Sequence, residues 1–182
     1  MSVTVYLLLV GAVALERLAE LLLSARHAAW SFARGGTEHG RGHFPAMVAL
    51  HSALLLACAG EVVAARRPFV PALGWPALAI VVASQALRWW CIVTLGPRWN
   101  TRVIVVPGLP LVTRGPYRVL RHPNYVAVVA EGLALPLVHG AWVTALVFSV
   151  LNAVLLLRFR IPAEERALAS AVRVPPPGGG VG

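Results

Sequence analysis

Lysine and aspartate are absent from the 182-residue chain: its 16 basic residues are all Arg and its 7 acidic residues all Glu. Charge is scarce as a whole, at 13% of residues, about half the share of an ordinary soluble domain. Two cysteines, Cys58 and Cys91, both fall inside apolar runs, which argues against a disulfide framework or a cysteine metal site. No basic segment precedes the first apolar run, and that run holds Glu16, Arg17 and Glu20. It therefore reads as a membrane helix and not as a cleaved signal peptide. No internal repeat is present. What remains is apolar, with 58% hydrophobic residues and a mean hydropathy of +0.74. A soluble core of this size cannot hide so much apolar surface, so lipid is the expected solvent for most of it. Disorder, a disulfide scaffold and an ordinary water-soluble enzyme are excluded together.

The net charge of +9 would by itself fit nucleic acid. The arginines, however, sit in loops between apolar runs and not along one polar face with interleaved aromatics, so no nucleic-acid partner is expected. Loop charge that orients a membrane protein is the better reading. Spans are expected from about Val3 to Leu23, Phe44 to Ala65 and Leu73 to Leu95. At roughly 1.5 Å per residue, such runs cross a hydrocarbon core of roughly 30 Å. Asn124 to Arg158 is apolar but interrupted at Pro136 and His139-Gly140. It reads as a hairpin of two shorter helices, Tyr125 to Leu135 and Ala141 to Leu157. A short amphipathic helix is expected after Pro162, and a disordered Pro/Gly tail from Val174 to Gly182. The expected fold is thus all-α: about five transmembrane helices, the last two a helical hairpin, and a short C-terminal cytoplasmic helix. Residues 1–173 form one membrane-embedded domain and 174–182 the tail. Five crossings gather Arg26, Arg34, Arg41, the arginines from Arg98 to Arg121 and those from Arg158 to Arg173 on one side. Only Arg66 and Arg67 fall opposite, which places the N-terminus outside and the polar clusters in the cytoplasm. Trp30, Trp75 and Trp142 near span ends fit interfacial anchoring.

Two polar clusters flank the hairpin. The first is Arg114-Gly-Pro-Tyr-Arg-Val-Leu-Arg-His-Pro-Asn-Tyr125. His122 precedes Pro123 and should be extended, while Pro123 suits the first position of the next helix. The N-terminus of that helix is expected to offer unpaired N–H groups and a positive dipole end beside His122, Asn124 and Tyr125, a setting for a carboxylate or phosphate. The second cluster, Arg158-Phe-Arg-Ile-Pro-Ala-Glu-Glu165, lies at the hairpin exit. A hairpin joins its ends, so Arg160, Glu164 and Glu165 should approach the His-Pro-Asn-Tyr turn. Anion donors would face carboxylates, which suits a zwitterionic ligand with an amino-acid group.

The motif Gly-Pro-Tyr-Arg-x-x-Arg-His-Pro-Asn-Tyr, followed after an apolar hairpin by Arg-x-Arg and Glu-Glu, resembles the isoprenylcysteine carboxyl methyltransferase family. These are integral membrane enzymes that use S-adenosylmethionine. The match covers roughly Trp99 to Leu168. Upstream, Glu16-Arg-Leu-Ala-Glu20, Gly35-Gly-Thr-Glu-His-Gly40 and Met47-Val-Ala-Leu-His51 are similar to a bacterial branch of the family, some of whose members are linked to O-methylation of alkylpyrones or alkylresorcinols. The resemblance implies a cofactor pocket of Leu109, Pro110, Leu111, Val112, Tyr117, His122, Pro123, Asn124, Tyr125 and Glu164 or Glu165, with Arg160 as the catalytic, substrate-facing residue. It also implies a multi-pass protein of a bacterial plasma membrane and a lipophilic or prenylated acceptor, methylated at a carboxylate or an acidic hydroxyl. No metal is required, because methyl transfer from a sulfonium is an in-line displacement. Phospholipid N-methylation and a sterol-reductase-like enzyme using NADPH are the alternative readings.

Elsewhere Glu16, Glu20, Ser24 and His27 form one polar stripe on the first helix. Glu16, Glu20 and Arg88 are candidate substrate-tunnel residues, with structural pairing of the stripe to Arg88 as the equal alternative. Glu131 reads as tunnel-facing or as a buried hydrogen-bonded residue. Glu61 is expected to be solvated near the outer interface. His51 is expected to be a hydrogen-bonded packing residue. Glu38, His39 and His43 have metal-compatible spacing without further ligands, so an ordinary loop is expected.

Overall fold

The computed structural model describes residues 1–172. Arg173 and the tail expected from Val174 to Gly182 lie outside the described residues. Six helices follow in order: α1 (Val3–Phe32), α2 (Phe44–Ala64), α3 (Pro71–Leu95), α4 (Pro123–Leu137), α5 (Trp142–Leu155) and α6 (Ile161–Val172). Three helical stretches are long and apolar enough to cross a membrane, Arg41–Ala64, Pro71–Arg98 and Trp142–Ala169. α1 has the length but carries three charged residues within its apolar run, and α4 is 15 residues long.

The helix starts follow from local chemistry. Ser2 caps α1 by accepting the Val5 N–H at 3.3 Å. α2, α3 and α4 each have proline in the first turn, where a missing N–H is harmless. α1 runs past the expected end at Leu23 because Ser24, Ala28 and Ser31 are buried, small and on one face, where a neighbouring segment packs. Pro136 does not stop α4, which ends one residue later at Leu137. The largest departure lies after α5. Leu156–Arg160 forms a π-helical turn that runs directly into α6, so the separate helix expected after Pro162 is a continuation of α5. Nor are the described residues all helical. β1 (Thr37–His39) pairs antiparallel with β2 (Val103–Val105), matching Thr37 to Val105 and His39 to Val103. Glu38 and His39, expected in an ordinary loop, therefore lie on a strand.

α3 packs on α4, and α4 packs on α5 across the short turn at residues 138–141. Gly132 permits the latter contact, since a Cβ there would lie 2.0 Å from the Phe148 ring. At the end of the bundle that holds Met1, Tyr6, Leu135, Val62 and Val138 form a fully buried core, and Tyr6 Oη donates to the Leu135 carbonyl at 3.1 Å. Glu61, expected to be solvated, instead caps α5. Its carboxylate accepts the Thr144 N–H and hydroxyl, both at 2.8 Å, and pairs with Arg67 at 2.9 Å.

The middle of the bundle holds a charged belt. Arg17 donates to Glu20 at 2.5 Å, to Gln85 at 2.9 Å and to Glu131 at 2.9 Å. Arg88 reaches the same Glu131 oxygen at 2.9 Å and lies 3.5 Å from Glu20. Glu16 accepts from Gln85 and from the Trp89 indole. Polar groups facing lipid would go unsatisfied, so this belt fixes which faces of α1, α3 and α4 meet. Glu131 is the shared partner of buried Arg88 and half-buried Arg17. Glu131→Ala is expected to destabilise the fold by about 3–5 kcal/mol, seen as an earlier thermal unfolding transition in detergent. An unchanged transition would show that the belt does not hold the helices.

Candidate active site

The ends of α1, α3 and α5 and the starts of α2 and α4 lie at one end of the bundle, and the segment from Gly96 to His122 wraps over it. That segment turns at Gly96 (φ +55°) and Gly115 (φ +58°), left-handed conformations that favour glycine. At Gly115 a Cβ would also fall 2.6 Å from Thr94 Oγ1. The far part of the α1 stripe holds the segment down. Ser24 Oγ bonds Asn100 Oδ1 and Thr101 Oγ1, each at 2.7 Å, and His27 Nδ1 donates to the Trp99 carbonyl at 2.8 Å.

The two polar clusters meet as one network. Arg160 Nε donates to Tyr125 Oη at 3.0 Å, and Tyr125 Oη donates to Glu164 Oε2. The other Glu164 oxygen lies 3.5 Å from His122 Nδ1, while Glu165 Oε1 lies 3.4 Å from His122 Nε2. The His122 and Tyr125 rings stack with centroids 5.5 Å apart. The π-helical turn carries Arg160 into this group although the residue is buried. One expectation needs correction at the α4 terminus: the Tyr125 and Val126 N–H groups close onto the His122 carbonyl, at 3.0 and 3.2 Å. The terminus thus presents its dipole more than a row of free donors.

A cavity of ≈ 370 Å³ opens beside this network. Its walls include Leu109–Val112, Tyr117, the His122–Tyr125 turn, Arg160 and Glu164. Glu165 is not among the lining residues. A second cavity of ≈ 130 Å³ runs toward the charged belt, with Arg17, Glu20, Arg88 and His51 among its walls. Trp99, Asn124, Tyr125 and Arg160 belong to both cavities. Of the candidate tunnel residues, Glu20 and Arg88 therefore face the second cavity while Glu16 lines neither. Glu131 is tied to Arg17 and Arg88. Glu38 turns to Arg41 at 3.1 Å and Arg102 at 3.7 Å. His51 donates through Nδ1 to the Met47 carbonyl at 2.9 Å and packs edge-on against Phe148, yet it also faces the cavity. Trp99, Asn100 and Thr101 were not legible as site residues. The continuation of the α1 stripe to Ser24 and His27 was the signal that some polar segment must pack there.

Burial pushes the Tyr117 phenol up, so it stays protonated as a wall residue. His122 is held above its ordinary value chiefly by its contact with Glu164, against the opposing effect of burial, with a lesser lift from Glu165. A raised histidine contributes its pairing in full below about pH 6.5 and loses it as pH rises through the raised value. The stability gap between wild type and His122→Gln should therefore be largest in mildly acidic buffer and close at alkaline pH, as followed by thermal unfolding. A gap independent of pH would mean that His122 pairs as a neutral ring.

The model of the isoprenylcysteine carboxyl methyltransferase (ICMT) family matches residues 77–170, which include both polar clusters. The chain is also 38% identical over 162 residues to a Bacillus subtilis (strain 168) protein called "Uncharacterized protein YpbQ", covering 88% of this chain and 95% of that one. No solved structure matches the chain significantly.

Proposed function

The chain belongs to the isoprenylcysteine carboxyl methyltransferase family, and from that premise we propose that it methylates an oxygen of a lipophilic acceptor with S-adenosylmethionine. The observation that carries this reading is the pair of cavities meeting at Asn124, Tyr125, Trp99 and Arg160, the more polar one beside the His122–Glu164 network and the other directed into the bundle. The first fits the cofactor in size and donor set. Asn124 and Glu164 both line it, and the buried Asn124 Oδ1 has no partner, so its walls carry acceptors suited to a cationic ammonium. The α4 dipole favours a carboxylate at the same place. When bound, the cofactor would supply a methyl group on a sulfonium, a leaving group that needs no metal and no covalent enzyme intermediate to reach an acceptor oxygen in line.

The chain's own residues then position and enclose. Glu164 is oriented by Tyr125, and Tyr125 by Arg160, so one hydrogen-bonded series aligns the cofactor wall with the acceptor wall. Arg160, which lines both cavities, holds the acceptor oxygen by charge-assisted hydrogen bonds. An acceptor already ionised needs no strong base. The carboxylate of a prenylated cysteine and the acidic hydroxyl of an alkylpyrone meet that condition; the phenol of an alkylresorcinol would have to pass its proton to a base, for which Glu164 and His122 stand at the site. The second cavity receives the head of such a lipid, with its chain left among the apolar helix faces.

The same reading places five crossings in a bacterial plasma membrane, with α4 and α5 as a hairpin, the N-terminus outside and both cavities at the cytoplasmic end. α4, at 15 residues, is roughly 22 Å long, shorter than the hydrocarbon core. Its N-terminus is thereby sunk below the membrane surface, within sideways reach of a lipid.

The test uses purified full-length protein in nanodiscs with methyl-labelled S-adenosylmethionine, an alkylpyrone, an alkylresorcinol and a prenylcysteine analogue. Label should enter the organic phase. Its release as methanol by mild base identifies a methyl ester, base-stable label on a polyketide lipid an ether, and label on phosphatidylethanolamine an N-methyl product that would overturn the oxygen acceptor. Glu164→Ala should abolish cofactor binding in a protein that still inserts and purifies. Arg160→Ala should keep cofactor binding and lose ~10²-fold or more in turnover; full activity there removes its assigned role.

A further inference from the structure

Of the four residues common to both cavities, Trp99 is the one with a buried donor atom left without a partner. Its ring is 2% exposed and its Nε1 has no hydrogen-bond partner among the described residues. An indole N–H can only donate, and a buried donor without an acceptor is costly. The pose is not that of a loose side chain. The Trp99 N–H bonds the Gly96 carbonyl at 2.9 Å and its carbonyl accepts from His27 Nδ1 at 2.8 Å. The next two residues are held to Ser24, and the His27 ring meets the indole edge-on at 6.3 Å. Helix α1, from outside the matched family region, thus fixes in the wall common to the two cavities a side chain whose N–H has no partner.

We infer that Trp99 is a positioning and specificity residue for the methyl acceptor: its indole N–H donates to an oxygen of the acceptor's polar head where the two cavities join. This rests on the functional reading above and adds to it the kind of head group selected. Trp99 Nε1 and the Arg160 guanidinium are both donors without acceptor capacity. Together they suit a conjugated oxyanion with charge shared over two oxygens, one held by the indole while the other faces the methyl donor. An amine head group presents no acceptor of that kind, so the pair favours O- over N-methylation. Donation to the oxyanion also keeps the bound acceptor ionised, because a hydrogen bond to the charged form lowers an acid's pKa.

Trp99→Phe keeps a ring and removes the N–H. In nanodiscs, with whichever of the three probes the wild type methylates, it should lower kcat/KM by about tenfold or more while S-adenosylmethionine affinity stays within about twofold. The acidic limb of the kcat–pH profile should move to higher pH, since that limb reports the acceptor in the bound complex. A residue that only packs would lower activity without moving it. Trp99→His retains a ring N–H and should recover part of the lost activity, which also covers failure of the phenylalanine variant to fold. Unchanged kcat, KM and pH limb in Trp99→Phe overturn the inference while leaving the methyltransferase standing. Loss of cofactor affinity with acceptor KM unchanged overturns it too, by assigning the N–H to the cofactor. Absence of methyl transfer by the wild type to every probe overturns the functional reading, and this inference with it.

Discussion

Two arginines share one carboxylate in the middle of the bundle, and much of the remaining geometry depends on that sharing. Arg17 comes from α1, Arg88 from α3 and Glu131 from α4. In a low-dielectric interior each of these groups is unstable alone, so the three helices can be rotated about their axes in few ways. Once α1 is oriented by Glu16, Arg17 and Glu20, its next turns carry Ser24 and His27 to the same side. Those residues hold Trp99, Asn100 and Thr101. The belt thus sets both the floor of the smaller cavity and, through one rigid helix, the wall between the two.

The other organising feature is the π-helical turn at Leu156–Arg160. A turn of this kind puts an extra residue into the helix and re-aims the side chains that follow. Here it brings Arg160 inward, and the continuous helix then presents Glu164 to Tyr125. A regular helix ending in a loop, as Pro162 suggested, would leave the two carboxylates free to move. The continuous form ties them to the bundle, which is what a site working by position and not by a reactive side chain requires.

Membrane embedding, the α2 and α3 boundaries, and the convergence of the His122 and Glu164 clusters were legible because each has a local signature. Apolar length marks a span, proline marks a first turn, and polar residues interrupting an apolar run mark a place where chain ends meet. Arg88 as partner of the α1 stripe was legible for a similar reason, since an intramembrane charge needs an opposite charge. Other features left no local trace. The three-residue strands pair across some sixty residues of chain, Glu38 lying opposite Ile104, and neither strand is long enough to show alternation. Glu61 has the local sequence of any carboxylate near an interface, and only the packing of the start of α5 against α2 makes it a cap.

Sequence alone determined the solvent, the class of fold and the residue types available for chemistry, because hydropathy, helix boundaries and charge compensation act over short stretches. It also carried the family, through motif residues close together in the chain. Tertiary structure alone decided that two cavities meet at Trp99 and Arg160, that Glu164 and not Glu165 lines the one beside the His122 turn, and that the Trp99 indole N–H is left without a partner. Those facts depend on how α1, the Gly96–His122 segment and the π-helical turn stack in space. Contacts between residues so far apart are set by packing and by the need to satisfy buried polar groups, neither of which a local pattern encodes.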